Sequence, residues 1–95
     1  MLISEEVQLF FKGLANEKRQ EIILLFLNHN EVTVNQVAET IGIGQSTASE
    51  QLSMLKRAGI LNSKREGKEV FYSPNKNNIV SILQEINSIL MKCCN

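Results

Sequence analysis

Two short amphipathic segments separated by a glycine turn constrain the fold of this 95-residue chain more than any other feature. The first segment has apolar residues at helical spacing: Val34, Val37, Ala38 and Ile41. Thr33 and Gln36 have the spacing of a capping box, which predicts a helix start. Gly42-Ile43-Gly44 predicts a tight turn, and a second helix is expected to begin near Gln45. That helix is expected to bury Ala48, Leu52 and Leu55.

The hydrophobic pattern changes from helical to alternating after Gly59. Residues 60–65 and 69–73 are predicted to form two strands, because they combine alternation with β-branched and aromatic residues. Residues 66–68 form the predicted hairpin tip. Pro74 is expected to end the second strand, and Asn75 is expected to cap a last helix that runs to about Met91.

The N-terminal part is predicted to form two more helices. The first spans residues 5–12, and the second follows an Asn16 N-cap and runs to about Asn28. Because residues 22–27 are all apolar, the second helix is expected to lie in the middle of the domain. The expected fold is mainly α with a small β-hairpin (α+β), a single winged helix-turn-helix domain over residues 1–95.

Composition excludes most catalytic chemistry. All ten acidic residues are glutamates and the single histidine is His29, so an aspartate-based triad and a multi-histidine zinc site are impossible within one chain. We therefore expect neither an enzyme nor a cofactor. Cys93 and Cys94 are adjacent and cannot staple a fold, which favours a reducing, cytoplasmic setting. The longest apolar run has six residues, so no membrane span is expected.

Positive charge is concentrated in the second half, although the chain has no net charge. Residues 1–44 hold three basic and six acidic side chains, whereas residues 45–72 hold five basic and three acidic ones. The second short helix carries side chains suited to base edges and phosphates: Gln45, Ser46, Thr47, Ser49 and Gln51. Cations suited to phosphates follow on that helix and on the hairpin: Lys56, Lys64, Arg65 and Lys68. Since serine and threonine are mediocre helix formers, this face favours binding of double-stranded DNA over an ordinary solvated surface.

Four segments of the chain resemble the ArsR/SmtB family of bacterial repressors: Leu14–Arg19, Val34–Ala38, Gln45–Leu61 and Arg65–Tyr72. The resemblance covers about residues 7–90 and is most specific over residues 45–72. It implies a homodimer that binds operator DNA and leaves it when a metal, metalloid or redox signal is bound. Two residues depart from the usual pattern within the specific part, Gly44 in place of a serine cap and Glu50 in place of a neutral or basic residue.

The sequence also departs from the family at the positions of its sensor sites. Thr33 and Asn35 stand where one metal site has cysteines, and Lys76 and Asn78 stand where another has Asp and His. Leu24 and its apolar neighbours occupy the helix on which redox-responding relatives have a cysteine. The resemblance therefore implies that the usual metal sites are absent.

A wide apolar stripe on the last helix predicts a homodimer. The expected interface residues come from the first and last helices: Phe10, Phe11, Ile79, Ile82, Leu83, Ile86, Ile89 and Leu90. Cys93 continues the stripe, and two interpretations of Cys93 and Cys94 stay open: packing residues, or a sensor for an oxidant or a soft metal or metalloid. The predicted function is a DNA-binding transcriptional repressor that a thiol-directed signal releases. The alternative is a dimeric protein-interaction module that keeps the fold without regulated DNA binding.

Overall fold

The computed structural model describes residues 3–94, which form five helices and three strands. The helices are α1 (Glu5–Leu14), α2 (Glu17–Leu25), α3 (Val34–Ile41), α4 (Gln45–Arg57) and α5 (Lys76–Cys93). The strands are β1 (Val32–Thr33), β2 (Leu61–Glu66) and β3 (Glu69–Pro74). The predicted fold class, mainly helical with a small antiparallel sheet, is confirmed. The predicted domain ends, residues 1 and 95, lie outside the described range.

The first two helices begin where polar side chains cap them. The side chains of Ser4 and Asn16 each accept a backbone N–H of the first turn, at 3.3 and 3.1 Å. The prediction that α2 continues to Asn28 is wrong. It ends at Leu25, because the N–H groups of residues 26–28 bond three residues back and tighten the chain into turns.

The apolar run that includes the end of α2 is only partly buried. Ile22 is fully buried, whereas Leu24 is 59% exposed and Leu27, beyond the end of the helix, is 79% exposed. A single helix turns one stripe toward a core, so six consecutive apolar residues cannot all face it. α2 contacts α1, α3 and α4, so it lies among the helices as expected, although its apolar run is buried only in part.

The two short helices follow the predicted pattern closely. Thr33 Oγ1 accepts the Gln36 N–H at 3.2 Å, and Gln36 Oε1 accepts the Thr33 N–H at 2.8 Å, which confirms the capping box. Gly42 ends α3 with a φ of 78°, a left-handed conformation that costs glycine little. The predicted buried face of α4 is confirmed for Ala48, Leu52 and Leu55, all 0% exposed.

The sheet has three strands in the described residues, one more than predicted. Its order is β1-β3-β2, with both pairs antiparallel. β2 and β3 pair along their whole length, and Gly67 and Lys68 form a two-residue turn between them. The added strand β1 pairs Val32 with Tyr72 and Thr33 with Phe71. Two residues are too few for an alternating pattern to be visible in the sequence.

α5 leaves most of its apolar stripe uncovered by its own chain. The Asn75 side chain accepts the Asn78 N–H at 3.3 Å, which confirms the predicted cap. Ile82 is the one fully buried residue of this helix, and Ile79 and Ile86 are half-buried. Within residues 3–94, no helix is both long and apolar enough to cross a membrane.

Candidate nucleic-acid interface

The exposed side of α4 is centred on the residues opposite its buried stripe. At roughly 100° per residue, four residues lie about 140–200° around the helix axis from Ala48: Ser46, Glu50, Ser53 and Arg57. Thr47 and Ser49 lie about 100° from Ala48, one on each side. All six side chains are exposed. They are called here the polar face of α4, and the small hydroxyl residues predicted to contact DNA all belong to it.

Gln45 begins α4 and also joins the two short helices. Its Nε2 donates to Asn35 Oδ1 at 2.5 Å. Asn35 lies in the first turn of α3, so this bond fixes the start of one helix against the start of the other. The side chain remains exposed, which leaves Gln45 at the edge of the surface where it was predicted.

Gln51 lies on the inner side of α4 and contacts Arg19, which the sequence analysis missed. Arg19 Nη1 donates to Gln51 Oε1 at 2.8 Å. The other two guanidinium nitrogens donate to the carbonyl oxygens of Lys12 and Gly13, each at 2.9 Å. These carbonyls lie in the last turn of α1, where helical oxygens lack the regular partner four residues on. Gln51 therefore contacts α2 through Arg19, which in turn contacts the end of α1, and its role as a base contact stays a prediction.

The β2–β3 hairpin, called here the wing, presents two cations beside α4. Lys68 lies in the turn and lines a cleft with Thr33, Asn35 and Gln45, at the starts of α3 and α4. Arg65 is exposed on β2. Within the described range, neither Arg65 nor Lys68 forms a salt bridge. Both side chains are therefore available to an anion that approaches α4.

Lys64 differs from the other wing cations because it lies between two carboxylates. Its Nζ is 3.1 Å from Glu66 and 3.6 Å from Glu31. The hydrogen bond to Glu66 and the nearby charge of Glu31 raise the pKa of Lys64 above its ordinary value. The predicted phosphate contact at Lys64 thus competes with two ion pairs inside the chain. The last turn of α4 adds two exposed cations, Lys56 and Arg57.

α1 and α5 together expose an apolar surface, called here the apolar seam. Its exposed members are Ile3, Phe11, Leu83 and Leu90, whereas the exposed Val80 and Met91 lie about 160–180° around α5 from the buried Ile82. Ile86 and Ile89 line a groove in the same surface. Phe10, predicted at the dimer interface, is 3% exposed and packs in its own chain's core, so Phe11 supplies the exposed ring on α1. Helical periodicity does not show which of two adjacent phenylalanines is buried and which is exposed when both lie beside the buried stripe.

The two thiols lie at the end of α5. Cys93 is the last helical residue and Cys94 the C-cap, and both are exposed. Their sulfur atoms lie 2.7 Å apart. The hydrogen bond with Cys94, with a smaller contribution from desolvation, raises the pKa of Cys93 above the ordinary thiol value. A raised pKa lowers the fraction of reactive thiolate at neutral pH.

The fold and this surface define a winged helix-turn-helix DNA-binding domain, with a polar helix face beside a basic wing. Residues 16–63 match the family described as "Bacterial regulatory protein, arsR family". The chain therefore belongs to the ArsR family and is a DNA-binding regulator of transcription. The expectation that it is not an enzyme is confirmed by this membership.

Individual relatives agree with the family assignment. The chain is 27% identical over 86 residues to the transcriptional activator HlyU of Vibrio cholerae, covering 90% of this chain and 79% of HlyU. It is 30% identical over 84 residues to a biofilm growth-associated repressor of Agrobacterium fabrum, covering 88% and 71% of the two chains. The solution structure of a homodimeric winged helix-turn-helix domain from Mycobacterium bovis is similar, with a TM-score of 0.71 and 25% identity, covering 95% and 91%.

Proposed function

We propose that this protein is a cytoplasmic transcriptional repressor that binds operator DNA as a homodimer. The observation that carries the proposal is the polar face of α4, where Ser46, Thr47 and Ser49 are exposed beside the wing. Hydroxyl side chains can donate to base edges or to phosphates when a helix enters the major groove. Lys68 and Arg65 neutralise phosphates beside that groove. Phosphate contacts position the protein, and base contacts select the operator.

The apolar seam is the proposed dimer interface. A second copy of the chain would cover side chains that are about half exposed in one chain, among them Phe11, Leu83 and Leu90. A two-fold dimer relates its two copies of α4 by the same symmetry that relates the half-sites of a two-fold operator. The homodimer of the similar Mycobacterium bovis domain supports this proposal.

Repression is preferred to activation because occupation of the operator by the dimer is sufficient for it. Relatives of this chain carry both names, an activator in Vibrio cholerae and a repressor in Agrobacterium fabrum. A repressor needs only to occupy its site, whereas an activator must also engage another protein. The interaction module without DNA binding is not favoured, because the basic wing would then have no ligand.

The proposed inducing signal is thiol-directed. Cys93 and Cys94 offer two soft ligands per chain, which suit a soft metal or metalloid, or an oxidant that links subunits. Within residues 3–94, no group of three or more His, Cys, Asp or Glu side chains is placed to hold a metal ion. A thiol site would therefore be completed by the second subunit or by solvent. The raised pKa of Cys93 lowers its thiolate fraction at neutral pH, and both soft-ion binding and oxidation require the thiolate, so either signal should act more readily as the pH rises.

Footprinting on the promoter nearest its own gene tests the function. We expect protection of two half-sites one helical turn apart, roughly 34–36 Å, with an affinity that falls steeply with salt. Equal, salt-insensitive retention of all duplexes would contradict the proposal and favour the interaction module. A titration with Cd²⁺, arsenite or an oxidant then tests release.

A double variant, Cys93→Ser with Cys94→Ser, separates sensing from binding. We expect it to occupy the operator as wild type does but to stay bound when the thiol reagent is added. If it is still released in full, the sensor lies elsewhere and the cysteines are packing residues.

A further inference from the structure

Glu50 is the one acidic side chain on the polar face of α4, and it lies at the centre of that face. It is exposed, and within the described residues it takes part in none of the three salt bridges. Its nearest neighbours along the helix surface, three or four positions away, are uncharged: Ser46, Thr47, Ser53 and Met54. Arg57 is two turns away, about 10 Å of helical rise. The chain itself therefore does not neutralise this carboxylate.

A carboxylate at this position has a large effect on DNA binding. A bare negative charge that approaches a duplex is repelled by phosphates, which costs affinity for every sequence alike. The cost is offset where the carboxylate accepts a hydrogen bond from a base. Glu50 can reach one, because the flanking Ser46 and Ser53 are short and Glu50 projects farther from the helix.

We propose that Glu50 selects a cytosine in each half-site by accepting a hydrogen bond from its N4 amino group. This inference rests on the proposed entry of α4 into the major groove. Guanine presents two acceptors there and thymine presents an acceptor and a methyl group, so both disfavour a carboxylate. Adenine presents its N6 amino donor beside its N7 acceptor. The N7 acceptor repels the second oxygen of the carboxylate. Cytosine presents its amino donor without such an acceptor on the same base.

The experiment is selection of bound sequences from a randomised duplex library by wild type, Glu50→Gln and Glu50→Ala. Glutamine has both a donor and an acceptor and pairs bidentately with adenine. We therefore expect Glu50→Gln to change the preference at one position of each half-site from cytosine to adenine. Glu50→Ala should lose the preference there, about a tenfold loss of discrimination. Preferences at the other positions should persist.

Glu39→Gln is the matched control. Glu39 is exposed on α3, outside the polar face of α4, and the substitution removes the same charge. We expect it to change affinity for all sequences alike and to leave base preference as in wild type. If Glu50→Gln also changes only overall affinity, Glu50 repels phosphates without reading a base, and the inference is overturned.

Two further variants in the same selection distinguish failure of this inference from failure of the proposed function on which it rests. Ser46→Ala and Ser49→Ala probe the same helix face without a change of charge. If they alter base preference while Glu50→Gln does not, α4 reads DNA and only the role of Glu50 is wrong. If none of these variants alters base preference, the proposed role of α4 fails, and the inference fails with it.

Discussion

Replacement of Lys68 by alanine tests how the wing contributes to DNA binding. Four cations per chain lie near the proposed DNA surface without a salt bridge in the described range: Lys56, Arg57, Arg65 and Lys68. If all eight in a dimer contacted phosphates, log K would fall against log salt with a slope of about −7. Lys68→Ala removes two of these contacts, so the slope should become shallower by about 1.8. At about 0.1 M salt this corresponds to an affinity loss of about 60-fold.

Lys64→Ala is the informative comparison, because it removes the same charge from the same hairpin. Lys64 already contacts Glu31 and Glu66, so little counterion release on DNA binding can be assigned to it. We expect Lys64→Ala to change the slope of log K against log salt by less than half as much as Lys68→Ala does. Lys92→Ala serves as a remote control, about 21 Å of helical rise along α5 from Asn78.

The assay is fluorescence anisotropy with one operator duplex at five or more salt concentrations. If Lys68→Ala and the remote Lys92→Ala gave the same slope as wild type, the wing would make no phosphate contact at its tip. If Lys64→Ala flattened the slope as much as Lys68→Ala, its ion pairs would not persist on DNA. Either result would refute the proposal that Lys68 contacts phosphate while Lys64 stays paired with Glu31 and Glu66.

Four further substitutions or titrations test other parts of the structure. Gly13→Ala would place a Cβ 2.6 Å from that of Ala58, so the free energy of unfolding in urea should fall by about 1–3 kcal/mol despite the better helix propensity of alanine. Gln51→Ala leaves an Arg19 donor without its acceptor and should cost about 1–2 kcal/mol of unfolding free energy, with base preference on a duplex panel unchanged. Ile86→Lys should give monomers in sedimentation and weak DNA binding, because the charge would lie in the apolar seam. Cd²⁺ binding, followed by thiolate absorbance, should tighten as pH rises, with the raised pKa of Cys93 shifting the increase to higher pH.

Each of these has a contrary result. Wild-type stability of Gly13→Ala would mean that α1 can move away from the end of α4 at no cost. An altered base preference of Gln51→Ala would mean that Gln51 contacts DNA bases. A folded Ile86→Lys dimer would place the interface elsewhere. Cd²⁺ binding that is independent of pH, or unchanged in the double serine variant, would exclude the two thiols as ligands.

Local sequence signals predicted the elements that depend on neighbouring residues. The capping box of Thr33 and Gln36 and the left-handed end at Gly42 involve partners within a few positions, so spacing alone identifies them. The hairpin and the Asn75 cap were predictable for the same reason. The buried stripe of α4 followed from its period.

Features that depend on distant partners were not predictable. Gln51 and Arg19 are 32 positions apart, and only the packing of α2 on α4 brings the amide to the guanidinium. The pairing of Lys64 with Glu31 likewise joins the wing to the segment before β1. A sequence pattern identifies a side chain as polar or charged, but it does not reveal whether a partner from another element already occupies it. The sequence therefore did not indicate that Gln51 and Lys64, both predicted to contact DNA, also have partners within the chain.

α5 links the two regions on which the proposed regulation depends. Near its start, Asn78 Nδ2 donates to the carbonyl oxygen of Gly59 at 2.9 Å, directly after α4. Cys93 lies at its other end, about 22 Å of helical rise away. A regular helix of this length transmits a displacement chiefly as a rigid body, so a thiol ligand that moves the end of α5 also acts on Gly59 and the tilt of α4. Binding linkage is reciprocal, so operator DNA must weaken the affinity of the thiol ligand by the same factor by which that ligand weakens DNA binding.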